Sequence, residues 1–222
     1  MKSSFFYGEP SGKVARKIKR AINAAPDFLS SLTASSPRAA GDAIQLLVEE
    51  KFEAAAGAWC AEYSSAFARR AMADLAFKDK EGFYCIVDVK THRQDTKFNM
   101  PALVSVERLA RFYEDDMNVF SILLVRYEVA GVRVRVTDVV FCPIEFLDWS
   151  CLTIGALGWG QIQIADSNII RRNPGQSRKR WMLSLCSAMS EFYPKQMLKI
   201  EGRISRFNAI ESYWRRKKDL WV

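Results

Sequence analysis

Three residues of this chain have the types and spacing to do hydrolytic chemistry. Asp88 and Lys90 follow the apolar run 83–87, and Asp74 lies fourteen residues before Asp88. In a strand, residues two apart point to the same side, so Asp88 and Lys90 are predicted to project together, and Asp74 can join them from a neighbouring strand. Two carboxylates can hold a hard cation such as Mg²⁺, and a lysine beside them can orient water or balance charge on a phosphate.

The residues around this pattern decide how it is interpreted, because Asp-x-Lys also occurs by chance on surface strands. The simpler alternative is a hairpin with solvated charges. Residues 83–87 are apolar on both faces, however, which predicts a strand in the middle of a sheet. Ionised groups at the tip of such a strand are partly buried and costly without partners, which favours the chemical interpretation.

Several strands are predicted around this pattern. Residues 75–77 and 83–89, separated by a charged turn, predict a hairpin. The run 119–125 predicts a second strand buried on both sides. The alternating segment 132–136 predicts a half-exposed strand that 139–142 continues, and Gln161 to Ile164 alternates in the same way.

Helices are predicted between and after these strands. Together the elements predict an α/β fold, with a central mixed sheet flanked by helices, in a single domain over 1–222 that ends in a helical region from about 178 to 222. The predicted helical and loop segments are a helix at 11–23, a loop at 30–37, a helical run from Gly41-Asp42 through Phe67 interrupted near Gly57, a helix beginning at Pro101, and two helices after about 178.

The composition favours an anionic partner. The 222 residues carry 33 Lys plus Arg against 25 Asp plus Glu, a formal charge of +8, which points to nucleic acid first and a membrane surface second. Many basic cytosolic proteins nevertheless bind no polyanion. No run approaches the roughly 20 apolar residues of a membrane span, and no signal peptide is recognised. Five scattered cysteines indicate buried free thiols in a reducing compartment.

Beyond these patterns, the chain resembles type II restriction endonucleases of the PD-(D/E)xK superfamily, those similar to HincII and, more distantly, to EcoRV. The resemblance covers about two thirds of the chain and is strongest around Asp88. The segments that carry it are Ala73-Asp74-Leu75, Phe83-Tyr84, Val87-Asp88-Val89-Lys90-Thr91, a loop of the same length up to Pro101, Gln161-Ile162-Gln163, the turn from Gly175 to Trp181, and Ala39-Ala40-Gly41.

The resemblance implies a restriction-endonuclease-like core and a defined activity. It implies a homodimer in a prokaryotic cytoplasm that wraps double-stranded DNA, binds a short palindromic site and uses Mg²⁺ to cut both strands, leaving blunt ends. It further implies that Mn²⁺ can substitute, that Ca²⁺ supports binding without cleavage, and that a cognate methyltransferase acts on the same site.

The resemblance also assigns catalytic roles. Asp74 and Asp88, with the backbone carbonyl of Val89, match the metal ligands, and Lys90 matches the active-site lysine. Activated water then attacks phosphorus in line and the 3′ oxygen leaves. The family often has a glutamate on the early helix. The best matches here are Gln45 and, one turn further on, Glu49, so a helix carboxylate among the metal ligands stays an open question.

DNA contacts are expected from the loop after Lys90 and from the region between Gly155 and Gln163. In the resembled enzymes a side chain near the end of the loop wedges between bases, and Asn99 with Phe98 occupies that place here. Glycine allows close backbone approach, and glutamine can bind adenine edges. A solvated loop and an ordinary tight turn are the alternatives. The candidate DNA-binding residues are Thr91, His92, Arg93, Lys97, Phe98, Asn99, Gly155, Gln161, Gln163 and Arg178, with basic clusters at 171–173, 178–180 and 215–218 as candidate phosphate contacts.

Two rival functions are compatible with the same residues. One keeps the nuclease core but acts in DNA repair or on particular DNA structures. The other is a basic DNA-binding protein without catalysis, in which Asp-x-Lys is incidental.

Overall fold

The computed structural model describes residues 2–64, 73–96, 102–165 and 169–219. The chain divides into two compact units, one ending at Ser177 and the other beginning at Arg178. The division falls where the predicted C-terminal helical region begins. The first unit is a mixed α/β structure with a central mixed sheet flanked by helices, as the sequence predicts at this level.

The central sheet has five strands, and the strand that carries Asp88 lies in the middle. Their order across the sheet is β1-β2-β3-β5-β6, with β3 parallel to β5 and the other neighbours antiparallel. The predicted hairpin and the predicted central position of the Asp88 strand are therefore confirmed. The strands are β1 (Cys60–Ser64), β2 (Leu75–Asp79), β3 (Tyr84–Arg93), β5 (Asn118–Ala130) and β6 (Arg133–Pro143).

A smaller antiparallel sheet contains β4 (Ala102–Ser105), β7 (Leu152–Gly155) and β8 (Gln161–Ile164), in the order β4-β8-β7. The alternating segment from Gln161 is thus a strand, as predicted. The prediction of a helix beginning at Pro101 is wrong, because residues 102–105 pair with β8 and the helix begins only at Val106. A long-range strand partner overrides the local signal of the proline.

Six helices are found among the described residues, and one lies where the sequence predicts a loop. That short helix, α3, begins with a capping box in which the side chains of Ser30 and Thr33 each accept from the other's backbone N–H. The helices are α1 (Ser4–Tyr7), α2 (Pro10–Ala24), α3 (Ser31–Ser35), α4 (Pro37–Ala56), α5 (Val106–Phe112) and α6 (Arg178–Arg215).

Helix α4 corrects the predicted helical run at both ends. It begins at Pro37, where the Ser36 hydroxyl caps it by accepting from the amide of Ala39, so Gly41 lies one turn inside. It ends before Gly57, which has φ +56°, a conformation that favours glycine. Residues 60–64 then form β1 instead of continuing the helix, because they pair with β2. The rest of the predicted run to Phe67 lies outside the described residues.

The second unit contains α6, a single helix of 38 residues. The prediction of two helices here is wrong. Pro194 lies inside the helix, where it lacks the amide that would donate to the carbonyl four residues earlier, yet the helix continues through it. No helix in the described ranges is both long and apolar enough to cross a membrane.

The main hydrophobic core of the first unit lies between the sheet and helices α2 and α4. Phe52 of α4 packs against Phe77 of β2, with ring centroids 5.2 Å apart, and against Phe141 of β6, at 5.8 Å. Val87 and Val89 of β3 belong to this core. Because alternate residues of a strand point to opposite faces, Asp88 and Lys90 project to the other side of β3.

All five cysteines are free thiols, as predicted. The prediction that they are buried holds for Cys85, Cys142 and Cys151, whereas Cys60 is half-buried and Cys186 is exposed. The prediction of burial therefore fails for Cys60, in β1, and for Cys186, in α6.

Helix α4 approaches β3 very closely at one point. Gly41 is buried, and a methyl group at its α-carbon would clash with the hydroxyl oxygen of Thr91. The missing side chain thus sets the distance between α4 and the end of β3 that carries Lys90. Gln45 lies one turn further along the same helix.

Substitution of Gly41 by alanine tests this contact. We expect G41A to lower the free energy of unfolding by about 1–3 kcal/mol, because the added methyl overpacks the contact with Thr91 by more than the better helix propensity of alanine offsets. The double variant G41A/T91A should recover most of the loss, since it removes the opposing hydroxyl. Urea unfolding of both variants checks this, and an unchanged midpoint for G41A would contradict it.

Candidate active site

The register between β2 and β3 brings Asp74 beside Asp88. Leu75 lies opposite Val87, so Asp74, just before β2, lies opposite Asp88. The amide of Asp74 donates to the carbonyl of Val87 at 3.1 Å, and its carboxylate Oδ2 accepts from the amide of Val89 at 2.6 Å. Asp74 is therefore held on the backbone of the strand that carries Asp88 and Lys90.

Asp88 is the most unusual group of the site, because its carboxyl is almost completely buried. The residue is 5 % exposed, and its Oδ1 accepts from Lys90 Nζ at 2.8 Å. Its other oxygen, Oδ2, is buried and has no hydrogen-bond partner among the described residues. Burial raises the pKa of Asp88 to about 7; Lys90 acts against this rise, and the negative charge of Asp74 adds to it.

Helix α4 contributes an amide to the site. Gln45 Nε2 donates to Asp74 Oδ1 at 2.9 Å and to Glu49 Oε1 at 3.1 Å. Both oxygens of Asp74 thus accept a hydrogen bond, one from the helix and one from the strand. Gln45 thus positions Asp74. Glu49 is connected to the site by the hydrogen bond that it accepts from Gln45.

The donor set suits a magnesium ion better than a closed structural metal site. The described part of the chain contains no group of three or more His, Cys, Asp or Glu side chains that could hold a metal ion. Mg²⁺ in enzymes usually takes one or two carboxylates, keeps several waters and binds substrate phosphate. Asp74 and Asp88 supply two carboxylates, and the buried partnerless oxygen of Asp88 is a position where a cation would satisfy it.

The Val89 carbonyl could supply a further oxygen ligand, because of the direction in which it points. The amide and carbonyl of one strand residue point to the same side of the strand. The Val89 amide donates to Asp74, beyond the end of β2, so its carbonyl lies on that side as well.

A basic pair lies at the same end of the sheet as Lys90. His92 of β3 is opposite Arg126 of β5 in the parallel register. Burial, and then the charge of Arg126, lowers the pKa of His92, which favours a neutral imidazole near pH 7. Arg126 is a functional candidate that the sequence did not reveal, because only the pairing of two distant strands brings it here.

The structure places two of the predicted DNA-binding residues in structural contacts. Thr91 faces Gly41 of α4. Arg93 donates to both carboxylate oxygens of Asp95, at 2.7 and 2.9 Å, and to the carbonyl of Ala34, at 2.7 Å. The side chains of Thr91 and Arg93 are therefore both engaged in contacts within the protein.

The remaining predicted DNA-binding residues are divided among three regions. Gly155, Gln161 and Gln163 lie together in the small sheet, and the Gln163 amide fills the space that a side chain at position 155 would need. Arg178 is the first residue of α6, in the second unit. Lys97, Phe98 and Asn99 lie outside the described residues.

Two comparisons, with family models and with curated proteins, found no match. No model of a known protein family matches the chain, and no curated protein matches it. The candidate site therefore stands on its own geometry and on the resemblance in its motifs.

Burial of Asp88 predicts an unusual dependence of stability on pH. Its pKa is about 7 in the folded chain, against an ordinary 3.8, so folding favours the protonated form. The stability from this group is fully present below about pH 4 and is lost as the pH rises through 7. In metal-free buffer at pH 8 we expect D88N to raise the free energy of unfolding by on the order of 2–4 kcal/mol, and the gain to vanish near pH 4.

Denaturant unfolding between pH 4 and pH 8 measures this effect. Asp27→Asn is the matched control, because Asp27 is exposed and pairs with the exposed Arg133. Equal behaviour of the two variants across the pH range would contradict the assignment of a buried carboxyl.

Proposed function

We propose that the protein is a Mg²⁺-dependent endonuclease that hydrolyses phosphodiester bonds of double-stranded DNA. The observation that carries the proposal is the buried Oδ2 of Asp88, which has no hydrogen-bond partner among the described residues and lies next to the carboxylate of Asp74 and on the same strand as Lys90. A buried carboxylate lacking a partner is costly, and a bound cation removes that cost. Two acids and a lysine in this arrangement suit phosphodiester hydrolysis.

The metal ligands would be the carboxylates of Asp74 and Asp88 and the carbonyl of Val89. When bound, Mg²⁺ supplies positive charge against the phosphate oxygens and acidifies the water that attacks phosphorus. Gln45 holds Asp74 from the helix, and the Val89 amide holds it from the strand, so one ligand is fixed before the ion arrives.

Lys90 acts on the attacking water and on the charge that develops on the phosphate. Its Nζ donates to Asp88 Oδ1, which fixes the direction of the side chain, and 24 % of the side chain remains exposed. An ammonium has three donors, so two remain to orient water or to bind a phosphate oxygen. His92 and Arg126 lie at the same end of the sheet, where phosphates on either side of the cut would pass.

The choice of DNA as substrate is supported by charge and by the sequence resemblance. The net charge of +8 favours a polyanion over a small neutral substrate. The resemblance adds type II restriction: a homodimer, a short palindromic site, blunt ends, and a methyltransferase that protects the same site in a prokaryotic cytoplasm. Mn²⁺ would replace Mg²⁺, and Ca²⁺ would support binding alone.

Incubation of the purified chain with a sequenced plasmid and Mg²⁺ tests the proposal. Discrete fragments whose ends map to one short sequence support restriction. Cutting confined to ends, flaps or mismatches supports a repair-type or structure-specific nuclease. Absence of cleavage in both Mg²⁺ and Mn²⁺, with DNA binding retained, would leave a non-catalytic DNA-binding protein.

Removal of the Asp88 carboxylate separates catalysis from binding. We expect D88A to lower the cleavage rate by at least about 100-fold, the scale seen when one group that stabilises a transition state is removed. DNA binding in Ca²⁺, measured by fluorescence anisotropy, should remain detectable, because phosphate contacts from basic residues supply most of it. The control D27A should cleave normally. Normal cleavage by D88A would overturn the catalytic assignment.

Gln45 is expected to act through Asp74. We expect Gln45→Leu to raise the Mg²⁺ concentration for half-maximal cleavage about 10- to 100-fold, the usual cost of losing a group that orients a ligand. A mainly structural role for Gln45 would lower stability and leave the Mg²⁺ dependence unchanged. Glu50→Gln is the control, since Glu50 lies on the same helix, is exposed and pairs with Lys51.

A further inference from the structure

Helix α6 carries a row of large apolar side chains that are exposed to solvent. Met197, Ile200, Ile204, Phe207 and Trp214 are 62 %, 51 %, 55 %, 67 % and 65 % exposed. They are separated by three, four, three and seven residues, which is the spacing of a coiled-coil seam. Residues at this spacing lie on one face, so they form a stripe about 26 Å long that is interrupted at Glu211. We call these five residues the α6 seam.

The α6 seam approaches the size of one side of a standard protein interface. Large apolar side chains each carry about 150–250 Å² of surface, so the five seam residues, exposed to this degree, leave roughly 450–750 Å² of apolar area on one helix. A standard protein interface buries about 800 Å² per partner. Contiguous apolar patches of several hundred Å² are uncommon on soluble monomers unless they bind something.

We propose that two copies of this chain pair through the α6 seam, with their two helices antiparallel. A seam with heptad spacing fits another helix with the same spacing, and a second copy supplies one of equal length. The seam then meets itself, with Met197 opposite Trp214 and Ile204 opposite Phe207. Such a two-fold contact closes at two copies and leaves no seam exposed.

Charge determines the antiparallel orientation. A parallel pair would bring both copies of Glu211 together inside the seam, because equal heptad positions meet in that arrangement, whereas the antiparallel register places each Glu211 opposite Ile200. It would also place the two clusters Arg215-Arg216-Lys217-Lys218 side by side. The antiparallel pair separates the clusters by about 33 Å along the helix axis, well beyond the screening length of about 8 Å at physiological salt.

The association state of the full chain tests the pairing, and it is measured without DNA or metal, so it is independent of the proposed cleavage. Multi-angle light scattering at 50 μM should give twice the chain mass of 25.3 kDa. The variant I204D/F207D should raise the dissociation constant at least 100-fold and give a monomer. Leu198→Asp is the matched control: Leu198 is 70 % exposed on the same helix but off the seam, and this variant should stay dimeric.

The uncharged variant I204Q/F207Q provides a second test should the aspartates disturb the helix, and circular dichroism monitors folding. A monomeric full chain at 50 μM overturns the proposal, as does a dimer that both seam variants leave intact.

Spin labels test the orientation. A label on Ser212→Cys, in a Cys60→Ser/Cys186→Ser background, should give a distance above about 20 Å in the antiparallel dimer, because the two sites are offset by about 20 Å along the axis. A distance well below about 20 Å would mean that the two labelled sites lie side by side, as in a parallel pair, and would overturn the orientation.

Discussion

A buried carboxyl group is the constraint around which the first unit of this protein is organised. Asp88 is placed in the middle of the central sheet, with one oxygen bound to Lys90 and the other without a partner among the described residues. Burial penalises the charged form strongly enough to raise its pKa to about 7. Burial of such a carboxylate costs folding free energy, and the proposed cation site would account for it.

The surrounding structure maintains this position through contacts that act on its neighbours. Asp74 is fixed from two directions, by the Val89 amide of the strand and by Gln45 of α4. The distance of α4 from β3 depends in turn on Gly41, which has no side chain to hold the helix away from Thr91. The aromatic packing of Phe52 anchors the same helix to the sheet. A change in any of these contacts would therefore alter the positions of the two acids, Asp74 and Asp88.

The two units have different physical characters, and this favours different roles. The first has an extensive core and contains the candidate acids. The second contains a long helix whose apolar side chains are exposed along much of its length, a surface that the proposed pairing would cover. Pairing of two α6 helices would place two copies of the acidic site in one particle, which cleavage of both DNA strands requires.

The sequence alone determined the hairpin, the central position of β3 and the common direction of Asp88 and Lys90, because these follow from period-two alternation and local turn signals. It did not predict β1, β4 or the single long helix, since strand partners far along the chain decide whether residues 60–64 and 102–105 form strands, and Pro194 is tolerated within α6. Only the tertiary structure showed that Gln45 holds Asp74, that Arg126 lies beside His92 and that Asp88 Oδ2 is buried. Sheet register and helix packing create such contacts between residues distant in the chain, whereas local patterns carry information only over a few neighbouring positions.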